Sequence, residues 1–424
     1  MNRTFVALTF CILFALSLSA TVYARNVVVD NVGISDIDME NETAVINYTL
    51  SRILLEINAD QPIWIFVKYR LEGESDYFAW KDTDDLDYTN DDSDGRFTDG
   101  DNKTRNAEYN TVNKHLSGDV GIVESSGPKQ IVWTWGVSGT GVLPEEIENV
   151  LVTIYAIEMV RIPGGQITFG QHVTRSTWNY LKGGTATINE FYMTKYLITT
   201  QQYANFLNRC ANRHDPLADA DYDFYYEKMV GSRLCRLRKE TGTIGVDAVF
   251  APKSHPDDIY DSYAMTYVTW YNAYDFAKWA GLRMMTGEEF EYEATNAGTQ
   301  YFPWGDDIPD TRNNRRANMK DVDPNSASDV YTYDEQARWP AKPGLSVSGV
   351  ADLAGNVWKW CFTIWYQGDY DPAKSSEAVA EYGPQLRVIR GGAYLYEEYR
   401  LRGAGRSLDH PSDHNKGIGF ILAK

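Results

Sequence analysis

Between residues 26 and 156, apolar and polar positions alternate in short runs separated by turn-forming residues, at 26–34, 43–50, 62–69, 130–137 and 150–157. Trp64, Phe66 and Lys68 share one parity, as do Val132, Thr134 and Gly136, and a period of two is that of a strand. These runs predict an antiparallel β-sandwich-like domain over 25–156. Farther along, the period changes. Trp270, Ala273, Phe276, Ala277 and Ala280 recur at three- and four-residue steps and Gly281 follows, which predicts a helix and its end. Thr286, with Glu289 three residues later, is a capping box and predicts a second helix. The rest of 157–424 is rich in Gly, Trp, Tyr and Asn with little periodicity. The chain therefore reads as α+β, its second domain dominated by loops and held by aromatic residues. An insertion at about 210–261, dense in Tyr and Asp, is a lid, an interface or a disordered excursion; the tyrosines favour an interface.

A chain of 424 residues is more than one core usually fills, which agrees with two domains. Residues 1–24 read as a signal peptide: Arg3 gives a positive start, 5–18 is mostly apolar, and small residues precede a cleavage point after Ala24. The apolar stretch is too short to span a bilayer comfortably, and no other run of spanning length follows. The expected product is secreted, extracellular or at the cell surface, or periplasmic, with no membrane span in the mature chain. Cys210, Cys235 and Cys361 survive cleavage, too few for a disulfide scaffold, although Cys210 and Cys235 could close one loop. The formal charge of -19 argues against nucleic acid and anionic membranes and favours cations. Asn41, Asn47 and Asn102 open sequons for glycan attachment.

Two segments carry candidate metal chemistry. In the acidic stretch 82–101, Asn90, Asp92, Asp94, Gly95, the backbone carbonyl of Arg96 and Asp101 follow the register of a twelve-residue calcium loop, in which alternate oxygens converge about a glycine turn. Asp101 stands where a bidentate Glu is usual and no flanking helices are evident, so a plain solvated acidic loop is the competing reading. His410 and His414, flanked by Asp409 and Asp413, have the spacing of a helical metal pair. Pro411 between them disfavours that helix, and the segment reads as a surface loop.

Several segments in one order resemble the formylglycine-generating enzyme, or sulfatase-modifying factor, family. They include Ile162-Pro163-Gly164-Gly165, Gln202-Tyr203-Ala204-Asn205-Phe206, Gly281-Leu282-Arg283, Pro303-Trp304-Gly305, Asp352-Leu353-Ala354-Gly355-Asn356-Val357-Trp358-Lys359-Trp360, Arg390-Gly391-Gly392-Ala393-Tyr394 and Gly419-Phe420. The resemblance implies a compact variant of the C-type lectin fold for 157–424, with its ligand cleft formed largely by the last segments.

The resemblance also shows what is altered. The family enzyme binds copper through two cysteines shortly after the Arg-Gly-Gly motif, a soft thiolate pair suited to a cuprous ion. Here Tyr396 occupies the first position and no cysteine follows Cys361, so no copper is expected and Cys361 reads as a core residue. The family's calcium ligands would fall at Asp352, the carbonyls of Gly355 and Val357, and the side chain at Lys359, where the family has Glu. An ammonium about 4 Å from a divalent ion is repelled by about 8 kcal/mol at an effective dielectric near 20, so the Lys359 ammonium is expected to take the ion's place. By the same analogy a second calcium site would use Asn318, Met319 and Asp334. Calcium is the one cofactor these patterns suggest.

The segment after Arg390 also resembles non-enzymatic receptor-binding members of this fold. That makes Tyr396, Glu397, Tyr399, Asp409, His410, Asp413 and His414 a candidate recognition face. The leading expectation is a non-catalytic binding or structural protein whose partner is a protein, a glycan or another copy of itself, as a homo-oligomer, surface layer or filament. The competing expectation is an oxidoreductase of the formylglycine-generating type with a rearranged site.

Overall fold

The structure, a computed structural model, describes residues 27–53, 57–71, 81–82, 116–135, 144, 147–171, 181, 183–210, 235–242, 248–255, 258–310, 313–322, 327–328, 330, 332, 341–374 and 385–424. The first part holds β1 (Val27–Asp38), β2 (Thr43–Arg52), β3 (Ile63–Leu71), β4 (Lys81–Asp82), β5 (Leu116–Gly118), β6 (Gly121–Val123), β7 (Gly127–Thr134) and β8 (Val150–Ile162). Next come β9 (Gly165–Thr168), β10 (Thr185–Ile188), β11 (Phe191–Thr194), α1 (Thr200–Cys210), β12 (Leu237–Thr241), β13 (Val249–Pro252), β14 (Ser254–His255) and β15 (Asp258–Ile259). The remainder is α2 (Trp270–Trp279), β16 (Arg283–Met284), α3 (Gly287–Ala294), β17 (Trp358–Ile364), β18 (Arg387–Arg390), β19 (Arg406–Asp409), β20 (Ile418–Gly419) and β21 (Leu422–Ala423). The described residues are mostly β with few helices.

Two sheets organise the first part. One has the order β1-β2-β7-β5; the other runs β16-β21-β11-β8-β3-β4, with β6 also on β3. The second sheet joins the two regions that the sequence separates. The boundary expected between 156 and 157 falls inside β8, which pairs with β3 through its first part and with β11 through its last. Strand continuity puts the junction in the middle of a hydrogen-bonded ladder, where a flexible linker has no place.

β3 shows why. Ile63, Ile65, Val67 and Tyr69 share a core with Val29, Ile46, Leu50, Ile131 and Trp133 of the first sheet. Trp64 and Phe66, on the opposite parity, belong instead to a core with Phe206, Phe276 and Trp279. Side chains of a strand alternate between faces, so a strand apolar at both parities is buried on both sides. The Trp64 indole donates to the Ala280 carbonyl at 2.7 Å, and Phe66 and Tyr155 each pack about Trp279 with ring centres 5.1 and 5.0 Å away. In β7 and the residue after it the inward set is Ile131, Trp133 and Trp135, while Val132 is exposed, so the residues pointing to the core have the parity opposite to Val132 and Thr134.

Polar contacts reinforce the same junction. Arg52 pairs with Glu158 at 2.6 Å with both side chains buried, and the Gln61 side-chain carbonyl accepts from Arg52 and from Lys195. The two predicted helices form. Thr286 and Glu289 make the reciprocal capping box of α3, and Thr269 with Asn272 makes another at α2. Part of the insertion is packed core: Leu237 and Phe250 are buried, and the Asn208 amide both donates to and accepts from the Phe250 backbone. That rules out a disordered excursion for 235–242 and 248–255. Cys235 is a free, buried thiol, so it does not close a loop with Cys210.

Because one sheet serves both cores, urea unfolding is expected to be a single transition, coincident by tryptophan fluorescence and far-ultraviolet circular dichroism. Trp64→Ala is expected to lower stability by about 3–5 kcal/mol without splitting that transition. Two separated transitions would show that the regions fold independently.

Candidate functional site

The carboxy-terminal strands form a sheet of order β19-β18-β17-β20, in which Lys359 of β17 pairs opposite Arg390 of β18. Both side chains are buried. Arg390 is answered by Glu291 of α3 at 2.9 Å and by the carbonyls of Gly287 and Ala404 at 2.9 and 3.0 Å. Burial pushes the Glu291 carboxyl up, while Arg390 and the Gly170 N–H draw it back down. Arg387 donates to the Phe362 carbonyl, and its guanidinium lies 3.8 Å from the Trp270 ring centre. Sequence pattern does not reveal these buried ions. The one local signal is the run Arg387-Val388-Ile389-Arg390, a β-type pair bracketed by charges; the partner Glu291 is 99 residues away.

The turn before β17 builds a second polar pocket. Lys359 Nζ donates to the Gly355 carbonyl at 2.6 Å and to the Leu353 carbonyl at 3.4 Å. Burial pushes the Lys359 amine down to about 7, against the opposing pull of Asp352. Of the expected partners, Gly355 makes the contact, Asp352 acts through its charge, and Val357 does not receive the ammonium. Leu353 takes its place because the chain reverses at Asp352, whose φ is 56°. With Nζ this close to the carbonyls, the residues present do not fit a divalent ion.

A copper site does not fit either. Cys361 is wholly buried, its sulfur 3.7 Å from the Lys359 carbonyl oxygen, and burial pushes its thiol up, away from the thiolate that binds metal. Tyr396 is half-buried against Trp358, ring centres 5.6 Å apart, with the Arg400 guanidinium 4.9 Å over its ring. Asn318 and Met319 are buried, and their carbonyls accept from Asn356 and Val322 N–H groups. Asp334, the acidic loop with Asn90, Asp92, Asp94, Arg96 and Asp101, the sequon at Asn102 and the signal segment 1–24 lie outside the described residues. Among the described residues, no group of three or more His, Cys, Asp or Glu side chains is arranged to hold a metal ion, and no helix is long and apolar enough to cross a membrane.

The candidate recognition residues fall into two groups along the chain. Glu397 is exposed and pairs with Lys320 at 2.8 Å, beside half-buried Tyr396 and Tyr399. Asp409 ends β19, and His410, Asp413 and His414 follow in a turn, as Pro411 predicts; His410 Nδ1 lies 2.7 Å from the Ser412 hydroxyl. Trp358 packs on Tyr396, and its backbone N–H donates to the Gly417 carbonyl at 2.8 Å. Burial and a hydrogen bond with Asp413 push the Asp409 carboxyl up to about 6. With the folded value above the unfolded one, the stability this pair contributes is present below about pH 4 and lost as pH rises through about 6. Asp413→Ala is expected to lower the Asp409 midpoint, read by carboxyl-carbon NMR titration; an unchanged midpoint would refute the pairing.

The family described as "Sulfatase-modifying factor enzyme 1-like domain" matches residues 146–424, well over half of the chain. A "Serine/threonine-protein kinase pkn1" of Chlamydia pneumoniae is 28% identical over 271 residues, covering 63% of this chain and 38% of that protein. The chain thus spans about two-fifths of the length of such relatives. A "Formylglycine-generating enzyme" of Thermomonospora curvata is 27% identical over 295 residues, covering 62% of this chain and 92% of the enzyme. Among solved structures, that of PvdO from Pseudomonas aeruginosa covers 63% of this chain and 94% of its own at 22% identity, with a TM-score of 0.43. The chain belongs to the sulfatase-modifying factor enzyme 1-like domain family.

Proposed function

We propose that this chain is an exported, non-catalytic member of its family that binds a protein, a glycan or another copy of itself. Tyr396, Glu397, Tyr399, Asp409, His410, Asp413 and His414 would form the binding face. The observation that carries the reading is the fate of the thiols: Tyr396 stands where the resemblance places the first catalytic cysteine, and Cys361 is sealed in the core. A sealed, protonated thiol neither holds a soft metal nor reaches a substrate cysteine. Half-buried tyrosines on a rigid frame suit recognition, because they offer wide contact area at little entropic cost. Export rests on the signal pattern in residues 1–24, and the finer architecture, a β-sandwich followed by a C-type lectin variant, rests on sequence pattern and family resemblance. Calcium at 90–101 belongs to the same proposal.

The test incubates the purified protein with a cysteine-containing sulfatase peptide, copper and oxygen, and probes for aldehyde with a hydroxylamine reagent. No aldehyde above the protein-free blank is expected. Aldehyde that disappears in Cys361→Ala would establish the oxidase reading instead. Binding is read by sedimentation for self-association and by a glycan array, where Tyr396→Ala with Tyr399→Ala is expected to weaken the interaction at least about tenfold.

A further inference from the structure

Three residues of the turn preceding β17 have left-handed backbone: Asp352 at φ 56°, Gly355 at φ 80° and Asn356 at φ 60°. Each reverses the peptide direction, and together they aim the carbonyls of Leu353 and Gly355 at one point. Lys359 Nζ stands at that point, 2.6 Å from Gly355 O and 3.4 Å from Leu353 O, on a side chain with no solvent exposure. The carboxylate of Asp352, itself buried, faces the same ammonium electrostatically and accepts from the Asn356 amide at 3.2 Å.

Gly391 closes the pocket. A Cβ there would stand 2.1 Å from Leu353 O and 3.1 Å from Lys359 Nζ, so at φ 84° this position takes glycine alone. Converging carbonyls with a carboxylate nearby are the donor set of a hard cation. Taken out of water, such oxygens need a positive or N–H partner, and a lysine ammonium brings three donors on a tether.

We infer that the 352–359 turn is a calcium-type cation cradle filled by the chain's own Lys359 ammonium, and that Lys359 alone keeps a divalent ion out. The tethered cation makes the turn independent of metal supply, whereas a free ion leaves when its concentration falls. This inference stands apart from the binding reading, since neither the recognition face nor the absence of oxidase activity enters it.

The experiment compares the full chain with Lys359→Glu, by calcium equilibrium dialysis and by thermal unfolding in chelator and in millimolar calcium. Ions bound elsewhere are common to both proteins and cancel. K359E is expected to bind one calcium more than wild type, and its melting temperature to rise on calcium addition by about 5 °C more than that of wild type. Asp352→Asn in the K359E background is expected to abolish the extra ion. A K359E chain that binds no additional calcium, or that stays unfolded with calcium present, overturns the inference. An extra ion that survives Asp352→Asn lies elsewhere and overturns it equally.

Discussion

The ladder between β3 and β8 is buried on both faces, and both large cores are built against it. Ile63, Ile65 and Val67 face the amino-terminal sheet while Trp64 and Phe66 face the helix that ends at Trp279. A ladder so placed cannot be solvated on either side, so it holds only if both neighbours are folded. The amino-terminal region is for this reason part of the scaffold of the family domain. The buried Arg52–Glu158 pair and the shared Gln61 carbonyl sit at the same seam, where an unpaired charge would be costly.

Beyond the seam, regular structure thins out and buried ions take over the work of ladders. The Arg390 guanidinium gathers Glu291 and Gly287 of α3 and Ala404 of the loop before β19, and Arg387 lies on Trp270. A planar guanidinium with five donors can tie several carbonyl ends at once, as suits a loop-rich region with few partners for its backbone. Lys359, directly across from Arg390, performs the same service for the 352–356 turn. The polar centre of the domain is thus organised around cations belonging to the chain itself.

The strand that carries Lys359 also supports Tyr396, one of the candidate recognition residues. Trp358 precedes Lys359, packs on Tyr396 and donates its backbone N–H to Gly417 in the carboxy-terminal loop. Tyr396, Tyr399, Asp409 and His414 are half-buried, whereas Glu397, His410 and Asp413 are exposed.

The sequence by itself determined what is local. Strands appeared where apolar residues alternate, and α3 began at the capping box of Thr286 and Glu289, because both depend on neighbours a few residues away. The missing thiols were equally legible, since no packing can supply a cysteine that the chain lacks. Only tertiary structure decided which parity of β7 faces inward, that β3 is covered twice, that Leu353 rather than Val357 meets Lys359, and that Glu291 answers Arg390 across 99 residues. The physical reason is the same in each case: burial and carbonyl direction are set by what packs against a segment from far along the chain, and a residue pattern records only its own side of that contact.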